Sequence, residues 1–483
     1  MPYRCCNFNS AMLALTLCLV AGGCQSAAKQ HLAAVARFDA CEPAQAVEAL
    51  TLASEKRGAE TEILAVDRSI AALMAGDAAT AETLLRQTRQ QMDFLRQKDL
   101  REQTQSVLTD DKAIAWAGRE FEQRMVDNLL VLASLMNDRG DSYAYASQVM
   151  DLVAAEHADL KSERSGPDVV AVAHSEHPQQ DELPAPPRRL AGNAFSAYLS
   201  AVVNSEHAMN ADLTDRTLQQ VAYWKPKSAD LNTPSQQNIR AGFGTQAAKG
   251  HGTVHVIIFS GRITDWESET AAPTSAALLL ADQILSAIGD HTLPPTVAPV
   301  KIARPVRRKA TGSSGAQLRF PPTAGEFDVL ESTYVSPSTL VDLNAVAWAS
   351  YHHNRDEQLA RAVARRIVKK GAVYAAKDQL AIANDSGADL LMNLGGMAWE
   401  ALERADRRHV RLLPQTIEAV QAELPVGFHE IEIRYGIPSK ALLVPPIVRG
   451  RTVNVDVQDG RNTFVLCFRP CGDPDEWKIV TSK

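Results

Sequence analysis

The sequence predicts an α+β fold, with a helical N-terminal half and a C-terminal half of helices and antiparallel strands. Residues 42–153 are rich in alanine and leucine and place apolar residues at helical spacing. From residue 253 onward, short β-branched segments alternate apolar and polar residues, as half-buried strands do. The formal net charge of −7 gives no basic footprint for nucleic acid, so nucleic-acid binding is not expected.

Residues 1–23 have the composition of a secretory signal peptide. The basic residue Arg4 precedes a mostly apolar run over residues 11–21. This run is shorter than the ~20 residues that a membrane-spanning helix needs. It ends in small residues that a signal peptidase can accept, followed directly by a cysteine: Ala21, Gly22, Gly23 and Cys24.

This four-residue segment resembles the bacterial lipobox, in which the cysteine thiol is acylated and the chain is cut just before it. The resemblance implies a mature chain that begins at a lipidated Cys24 and is held at a membrane, because each buried methylene contributes about 0.8 kcal/mol. A plain signal peptide is the alternative, since Ala21 stands where the lipobox usually has leucine. An aspartate directly after the lipidated cysteine favours retention of a lipoprotein at the inner membrane. This chain has Gln25 at that position, which implies the outer membrane, with the protein facing the periplasm.

Two cysteines near the C-terminus, Cys467 and Cys471, flank the short segment CFRPC. An exported chain meets an oxidising compartment, so this pair is a candidate disulfide. A zinc site would need more ligands than the pair supplies, and no metal is predicted.

The helical half contains helix pairs joined by Gly-Asp turns at residues 76–77 and 140–141. The two turns lie 64 residues apart, close to twice the ~34-residue period of tetratricopeptide repeats. A third pair is predicted at Asn193–Ser205 and Leu213–Trp224. A repeat array and a generic antiparallel bundle both fit, because each buries one apolar stripe per helix.

The C-terminal half is predicted to begin with a strand over residues 253–262 and a helix over 276–289. A long helix is predicted over Ser338–Lys370, with a break near Asn354. Gly460 predicts a hairpin between the last two strands. Further strands are predicted at 303–308, 316–320 and 327–335, and one further helix at 390–402.

These elements predict a division of the chain into a leader, a tether and three folded regions. The boundaries are a signal peptide at 1–23, a tether at 24–41, a helical-repeat domain at 42–224 with a disordered loop at 162–189, a linker at 225–252, a mixed α/β domain at 253–425 and a small antiparallel β module at 426–483.

Several fragments together resemble a group of uncharacterised bacterial lipoproteins with a tetratricopeptide-like helical front half and a mixed α/β second half. They include "AWAGREFEQRMVDNLLVLASLMNDRGDSYAYA", "HGTVHVIIFSGR" and "ADRRHVRLLPQTIEAVQAELPVGFHEIEIRY". The resemblance implies a fold and a cell-envelope address, but no activity and no catalytic residues. The matching positions are Gly118, Phe121, Glu122, Gly140, Asp141, Asp406, Arg407, 412–414 and 424–429.

The segment 406–409 is the strongest candidate for a binding or packing site. Arginine pairs with carboxylates in a bidentate manner, so the segment either fixes how the last helix meets the strands or binds a partner or anion. Its members are Asp406, Arg407, Arg408 and His409.

Two weaker patterns do not support a cofactor. The glycine-rich segment 242–250 precedes a strand, whereas a phosphate-binding loop follows one, so no nucleotide is expected. His352 and Asp356 lie one helical turn apart, but two ligands do not make a metal site.

The expected function is therefore that of a lipid-anchored scaffold or assembly factor of the cell envelope, attached to the membrane by its lipid. Its helical repeats would present a groove to an envelope protein or peptide. The alternative is a cell-envelope enzyme, such as a peptidoglycan-acting hydrolase, since paired carboxylates leave little trace in a sequence. A structural spacer without a specific ligand is the third possibility. No catalytic residue is identified.

Overall fold

The computed structural model has the predicted α+β fold. It describes residues 27–56, 60–96, 116–165, 187–206, 210–224, 249–288, 298–306, 315–321, 334–379, 405–437, 447–471 and 477–482.

The N-terminal half is a series of helices in which neighbours along the chain pack on one another. This arrangement of helical hairpins is consistent with a repeat array. The third predicted pair is confirmed, with bounds at Asn193–Ser205 and Ala211–Trp224. The helices are α1 (27–39), α2 (Pro43–Ser54), α3 (Thr61–Ala75), α4 (Ala78–Arg96), α5 (Glu120–Met136), α6 (Ser142–Ser165), α7 (Asn193–Ser205) and α8 (Ala211–Trp224).

The two Gly-Asp turns form in different ways. Gly76 has φ +86° and ends α3 in a left-handed conformation that favours glycine. The next residue, Asp77, caps the start of α4, because its carboxylate accepts a hydrogen bond from the Thr80 backbone N–H at 3.1 Å. In the second turn the positive φ angles fall instead on Asp138 and Arg139.

Residues 27–39, predicted as part of a tether, form α1 and belong to the folded body. Ala34 and Phe38, one helical turn apart, are both buried in the core. At the end of α1, Asp39 accepts two hydrogen bonds from the Arg262 guanidinium, at 2.6 and 3.0 Å. The tether assignment over 24–41 is therefore wrong for the described residues, because an apolar stripe on this segment gives it a surface to bury.

In the described part of the C-terminal half, two larger sheets and one strand pair accompany two helices. The five-stranded sheet has the order β10-β9-β1-β6-β5, in which only β1 and β9 pair in parallel. The three-stranded sheet has the order β4-β7-β8, and β2 pairs with β3. The strands are β1 (His251–Ser260), β2 (Trp266–Ala271), β3 (Val300–Pro305), β4 (Ala316–Arg319), β5 (Ser338–Asp342), β6 (Thr416–Pro425), β7 (Gly427–Ile437), β8 (Ile447–Val457), β9 (Asn462–Arg469) and β10 (Lys478–Thr481).

The five-stranded sheet is the middle of three layers. Alternate residues of β1 point to opposite faces. Ile257 and Phe259 belong to the core shared with the helices, whereas Val256 and Ile258 belong to the core shared with the three-stranded sheet. The N-terminal helices and the three-stranded sheet thus lie on opposite sides of β1.

The predicted hairpin at Gly460 is wrong, and so is the separate antiparallel module at 426–483. The turn around Gly460 carries the chain from the three-stranded sheet, where β8 pairs with β7, into the five-stranded sheet, where β9 pairs with β1. Almost every residue of β9 is buried, so this strand needs neighbours on both faces. An edge position beside β8 would not supply them.

The predicted long helix at Ser338–Lys370 begins later than expected. Residues Ser338–Asp342 form β5, and α10 (Leu343–Gln379) follows without a break at Asn354. The Asp342 carboxylate accepts hydrogen bonds from the backbone N–H groups of Asn344 and Ala345, each at 3.1 Å, and so caps α10. The predicted helix at 276–289 is α9 (Ser275–Ile288).

Several predicted segments lie wholly or mostly outside the described residues. They are the signal peptide with Ala21, Gly22, Gly23 and Cys24, most of the loop 162–189 and of the linker 225–252, most of the strand 327–335, and the helix 390–402. Among the helices that the structure describes, none is both long and apolar enough to cross a bilayer.

Candidate functional site: the strap and the basic pocket

Residues 405–415 form a segment without helix or strand, the strap, which contacts α3, α5 and the end of β1 and leads into β6. It contains the predicted candidates Asp406–His409. Its last residue, Gln415, hydrogen-bonds through its backbone N–H to the Ser260 carbonyl at the end of β1, at 3.0 Å.

The buried carboxylate of Asp67 on α3 holds the second half of the strap. This residue has 0% exposure. Its Oδ1 accepts hydrogen bonds from the backbone N–H groups of Arg411 at 3.0 Å and Leu412 at 2.8 Å. His31 of α1 places its Nε2 2.7 Å from Oδ2 of the same carboxylate. Helices α1 and α3 and the strap therefore meet at one charged group, whose burial is offset by three polar contacts.

A second buried carboxylate, Glu122 on α5, holds the first half of the strap. It is 1% exposed, and its Oε1 accepts a hydrogen bond from the Val410 backbone N–H at 2.9 Å. The neighbouring Arg119 donates to the backbone carbonyls of Arg408 at 2.7 Å and Asp406 at 3.2 Å. The Arg119 guanidinium also lies 3.7 Å from the centre of the Trp266 ring, a cation–π contact.

The contacts of Asp67 and Glu122 with the strap change where the predicted binding groove could lie. Asp67 and Glu122 accept hydrogen bonds from backbone N–H groups of the strap, and main-chain hydrogen bonds are also a common way in which proteins hold a peptide. In the described part of the chain, the inner side of α3 and α5 is therefore occupied by the protein's own strap.

The four predicted strap residues do not act as one cluster. Arg408 and Asp406 form a bidentate pair, with Nε–Oδ1 at 2.9 Å and Nη2–Oδ2 at 2.8 Å. Arg407 is exposed. His409 is buried; its Nδ1 donates to the Arg407 carbonyl at 2.9 Å, and its Nε2 lies 3.6 Å from Asp265 Oδ1. This pair lies within the strap, and the predicted helix 390–402, whose packing it was expected to fix, lies outside the described residues.

The Asp406–Arg408 pair also forms one wall of a cavity of about 290 Å³, the basic pocket. The other walls come from the segment before α5, from β3 and from α10, so four distant parts of the chain meet there. The lining residues are Trp116, Ala117, Gly118, Arg119, Lys301, Ile302, Ala303, Gln358, Arg361, Ala362, Arg365, Ala405, Asp406 and Arg408.

The pocket is strongly cationic, although the whole chain is acidic. Five of its described lining residues are lysine or arginine, and Asp406 is the one carboxylate among them. Arg365 is only 3% exposed, so its guanidinium stands away from bulk water at the inner end of the site. Lys301 and Arg361 are exposed and lie at its opening. Several cations at the opening of a concave site attract anions to it.

The predicted disulfide is not formed. Strand β9 turns the Cys467 side chain into the core between the sheets, where its Sγ lies 3.1 Å from the Tyr435 hydroxyl. Burial raises the pKa of the Cys467 thiol to about 12. Cys471, past the end of the strand, is exposed. The four-residue spacing could not reveal that the first cysteine points inward.

The histidine and carboxylate on α10 have other roles. Asp356 accepts a hydrogen bond from the Thr274 hydroxyl at 2.7 Å, which joins α10 to the start of α9. His352 packs against the Trp348 ring. Over the described ranges, no group of three or more His, Cys, Asp or Glu side chains is placed to hold a metal ion.

Sequence reasoning missed the groups that organise this site. Asp67 and Glu122 carried a readable signal, because each is a carboxylate inside an otherwise apolar helical stripe. Arg365 carried none, since arginines surround it in "ARAVARRIVKK" and nothing local tells which one is buried.

No protein-family model matches this chain, and neither the curated proteins nor the solved structures contain a detectable relative. The resemblance to a lipoprotein family therefore stays a prediction.

Proposed function

We propose that this chain is a lipid-anchored binding protein of the cell envelope, and that its basic pocket receives an anionic group of an envelope component. The observation that carries the proposal is the pocket itself: five cationic side chains from four separate segments converge on one cavity in an acidic chain. Convergence of distant segments on a concave, charged site is typical of ligand sites. The proposal keeps the predicted scaffold role but moves the binding site, because the strap occupies the inner side of α3 and α5.

The short distance between the predicted anchor and the folded body supports an envelope role close to the membrane. Cys24 precedes the start of α1 by three residues, which span about 10 Å when extended. Helix α1 is in turn tied to the body by the contacts of His31 and Asp39. A lipid on Cys24 would hold the body close to the bilayer surface.

The anchor is tested by fractionation of the native host. Wild-type protein is expected in the membrane fraction, and the Cys24→Ser variant is expected outside it, or uncleaved with its leader retained. Cys41→Ser is the matched control, because this cysteine lies within the fold after α1. The predicted membrane location would be refuted if the wild-type chain were recovered in the supernatant, cleaved but without a lipid.

The binding site is tested by photo-crosslinking in intact cells. A photoreactive residue at Lys301 or Arg361, both exposed at the pocket, is expected to capture a reproducible envelope component. The same residue placed at Lys249, exposed and outside the pocket lining, is the control. Identical products from all three positions would show that the pocket is not the binding surface.

A further inference from the structure

We propose that the outer face of helix α1 lies against an anionic phospholipid surface when the chain is anchored. This inference rests on the proposed lipid anchor and names the part of the folded body that meets the membrane. Composition, charge, direction and distance from Cys24 each support it. The outer face consists of the six exposed residues of α1, which are Ala28, Lys29, Leu32, Ala33, Ala36 and Arg37.

The outer face of α1 is mostly apolar, whereas the exposed side of a surface helix is normally polar. Four of its six residues are alanine or leucine, and the Leu32 side chain is 55% exposed. The opposite side of α1 belongs to the core, so both sides of this helix carry apolar residues. A helix between a protein body and a lipid surface has this composition. Helix α4 shows the usual pattern, since its exposed residues include Thr83, Arg86, Gln87, Gln90 and Gln91.

The charge of the outer face fits an anionic bilayer. Its two charged residues, Lys29 and Arg37, are cations, and no acidic residue of α1 is exposed. The one carboxylate of the helix, Asp39, binds the Arg262 guanidinium. Arg37 pairs at 2.7 Å with Glu42 beyond the end of α1, in an exposed contact of the kind that contributes little to stability. Long cationic side chains beside apolar residues can reach lipid phosphates while the apolar residues enter the interface.

Contacts on the opposite side of α1 fix the direction of its outer face. Val35 and Phe38 are buried in the core, at 7% and 3% exposure. His31 lies 2.7 Å from the buried carboxylate of Asp67 on α3. Rotation of α1 to bury Leu32 against its own chain would expose Phe38 and break the contact with Asp67. The outer face therefore stays turned outward.

The predicted anchor keeps the outer face near the bilayer. The three residues between Cys24 and α1 span about 10 Å when extended, and the helix itself is about 20 Å long. The whole outer face thus lies within roughly 30 Å of a lipid on Cys24. Lys249 is far from it, because α1 is joined through Arg262 to the end of β1, whereas Lys249 precedes the start of this ten-residue strand, which spans about 33 Å.

Photo-crosslinking on vesicles tests the contact without relying on native acylation. The mature chain, residues 24–483 with Cys24→Ser, is held by an N-terminal histidine tag on vesicles of phosphatidylglycerol and phosphatidylcholine that contain a nickel-chelating lipid. A photoreactive residue at Leu32 is expected to capture phospholipid. The same residue at Phe94 is the control, because this side chain is 60% exposed but lies on the polar side of α4. Equal capture at the two positions overturns the inference.

Substitution of a cation tests the role of charge. Lys29→Gln is expected to lower the capture of phospholipid at position 32 about fivefold, and added salt should act in the same direction. Lys249→Gln makes the same change in charge at the far end of β1 and should leave the capture unchanged. Both lysines are exposed, so neither change should disturb the fold. Equal capture by the two variants would overturn the inference.

The same crosslinks in the native host separate this inference from the proposed anchor. If the wild-type chain is found in the membrane fraction but position 32 captures no phospholipid, or captures a protein instead, the anchor stands and the membrane contact of α1 is wrong. If the wild-type chain is soluble and carries no lipid, the anchor is wrong, and capture on vesicles alone decides whether α1 contacts phospholipid.

Discussion

Removal of the Asp67 carboxylate should destabilise the protein more than removal of any exposed acid. In the Asp67→Ala variant the backbone N–H groups of Arg411 and Leu412 lose a buried acceptor, and His31 loses its partner. A buried donor left without a partner costs about 1–3 kcal/mol. For two such donors, allowing for relaxation of the strap, we expect a loss of about 2–5 kcal/mol in the free energy of unfolding.

Urea unfolding of the purified chain measures this loss as a lower midpoint at unchanged slope. Hydrogen exchange at the amides of Arg411 and Leu412 localises it, because these two amides should lose protection first. Asp77→Ala is the matched control: this exposed carboxylate caps α4 with a single bond, so its loss should cost about 1 kcal/mol. If the two variants unfold at the same urea concentration, or if both strap amides stay protected in Asp67→Ala, the role assigned to Asp67 is wrong.

Three further predictions concern the core. Burial lowers the pKa of His255 to about 4, below the ~6.5 of an unfolded chain. The contribution of His255 to the free energy of unfolding is therefore complete above pH 6.5 and falls by about 3 kcal/mol as the pH drops to 4. In His255→Gln the urea midpoint should depend less on pH over this range, and an unchanged dependence would contradict the assignment. Iodoacetamide should modify Cys471 in the native chain and Cys467 only after unfolding, because burial raises the pKa of Cys467 to about 12. If mass spectrometry of the labelled native chain finds Cys467 modified first, this cysteine is not protected as the structure indicates. Gly252→Ala should impair folding, because a Cβ at this position would collide with two backbone carbonyls of the turn before β9. Gly140→Ala is the control, since a Cβ there meets nothing within 4 Å. Equal thermal midpoints for the two variants would show that the backbone of Gly252 does not lie this close to the turn.

Elements whose signals are local can be identified from the amino-acid sequence alone. The stripe on α3 and its left-handed Gly76 define a helix and its end within about fifteen residues. Asp77 then starts the next helix through a hydrogen bond to a residue three positions away. The α+β fold class and the helix pairs follow from such patterns, because periodicity and capping depend only on near neighbours.

The pairing of the strands and the meeting of distant charges become visible only in the folded chain. The turn around Gly460 has the residues of a hairpin, yet β9 is drawn to β1 because both of its faces must be covered. The strap of residues 405–415 is held by Asp67 and Glu122 from more than 280 positions earlier in the chain. Arg365 enters a pocket only once α10, β3, the strap and the start of α5 lie together. These outcomes depend on burial and pairing across the whole chain, and even a visible buried carboxylate such as Asp67 does not reveal from its neighbours in sequence which distant segment it will hold.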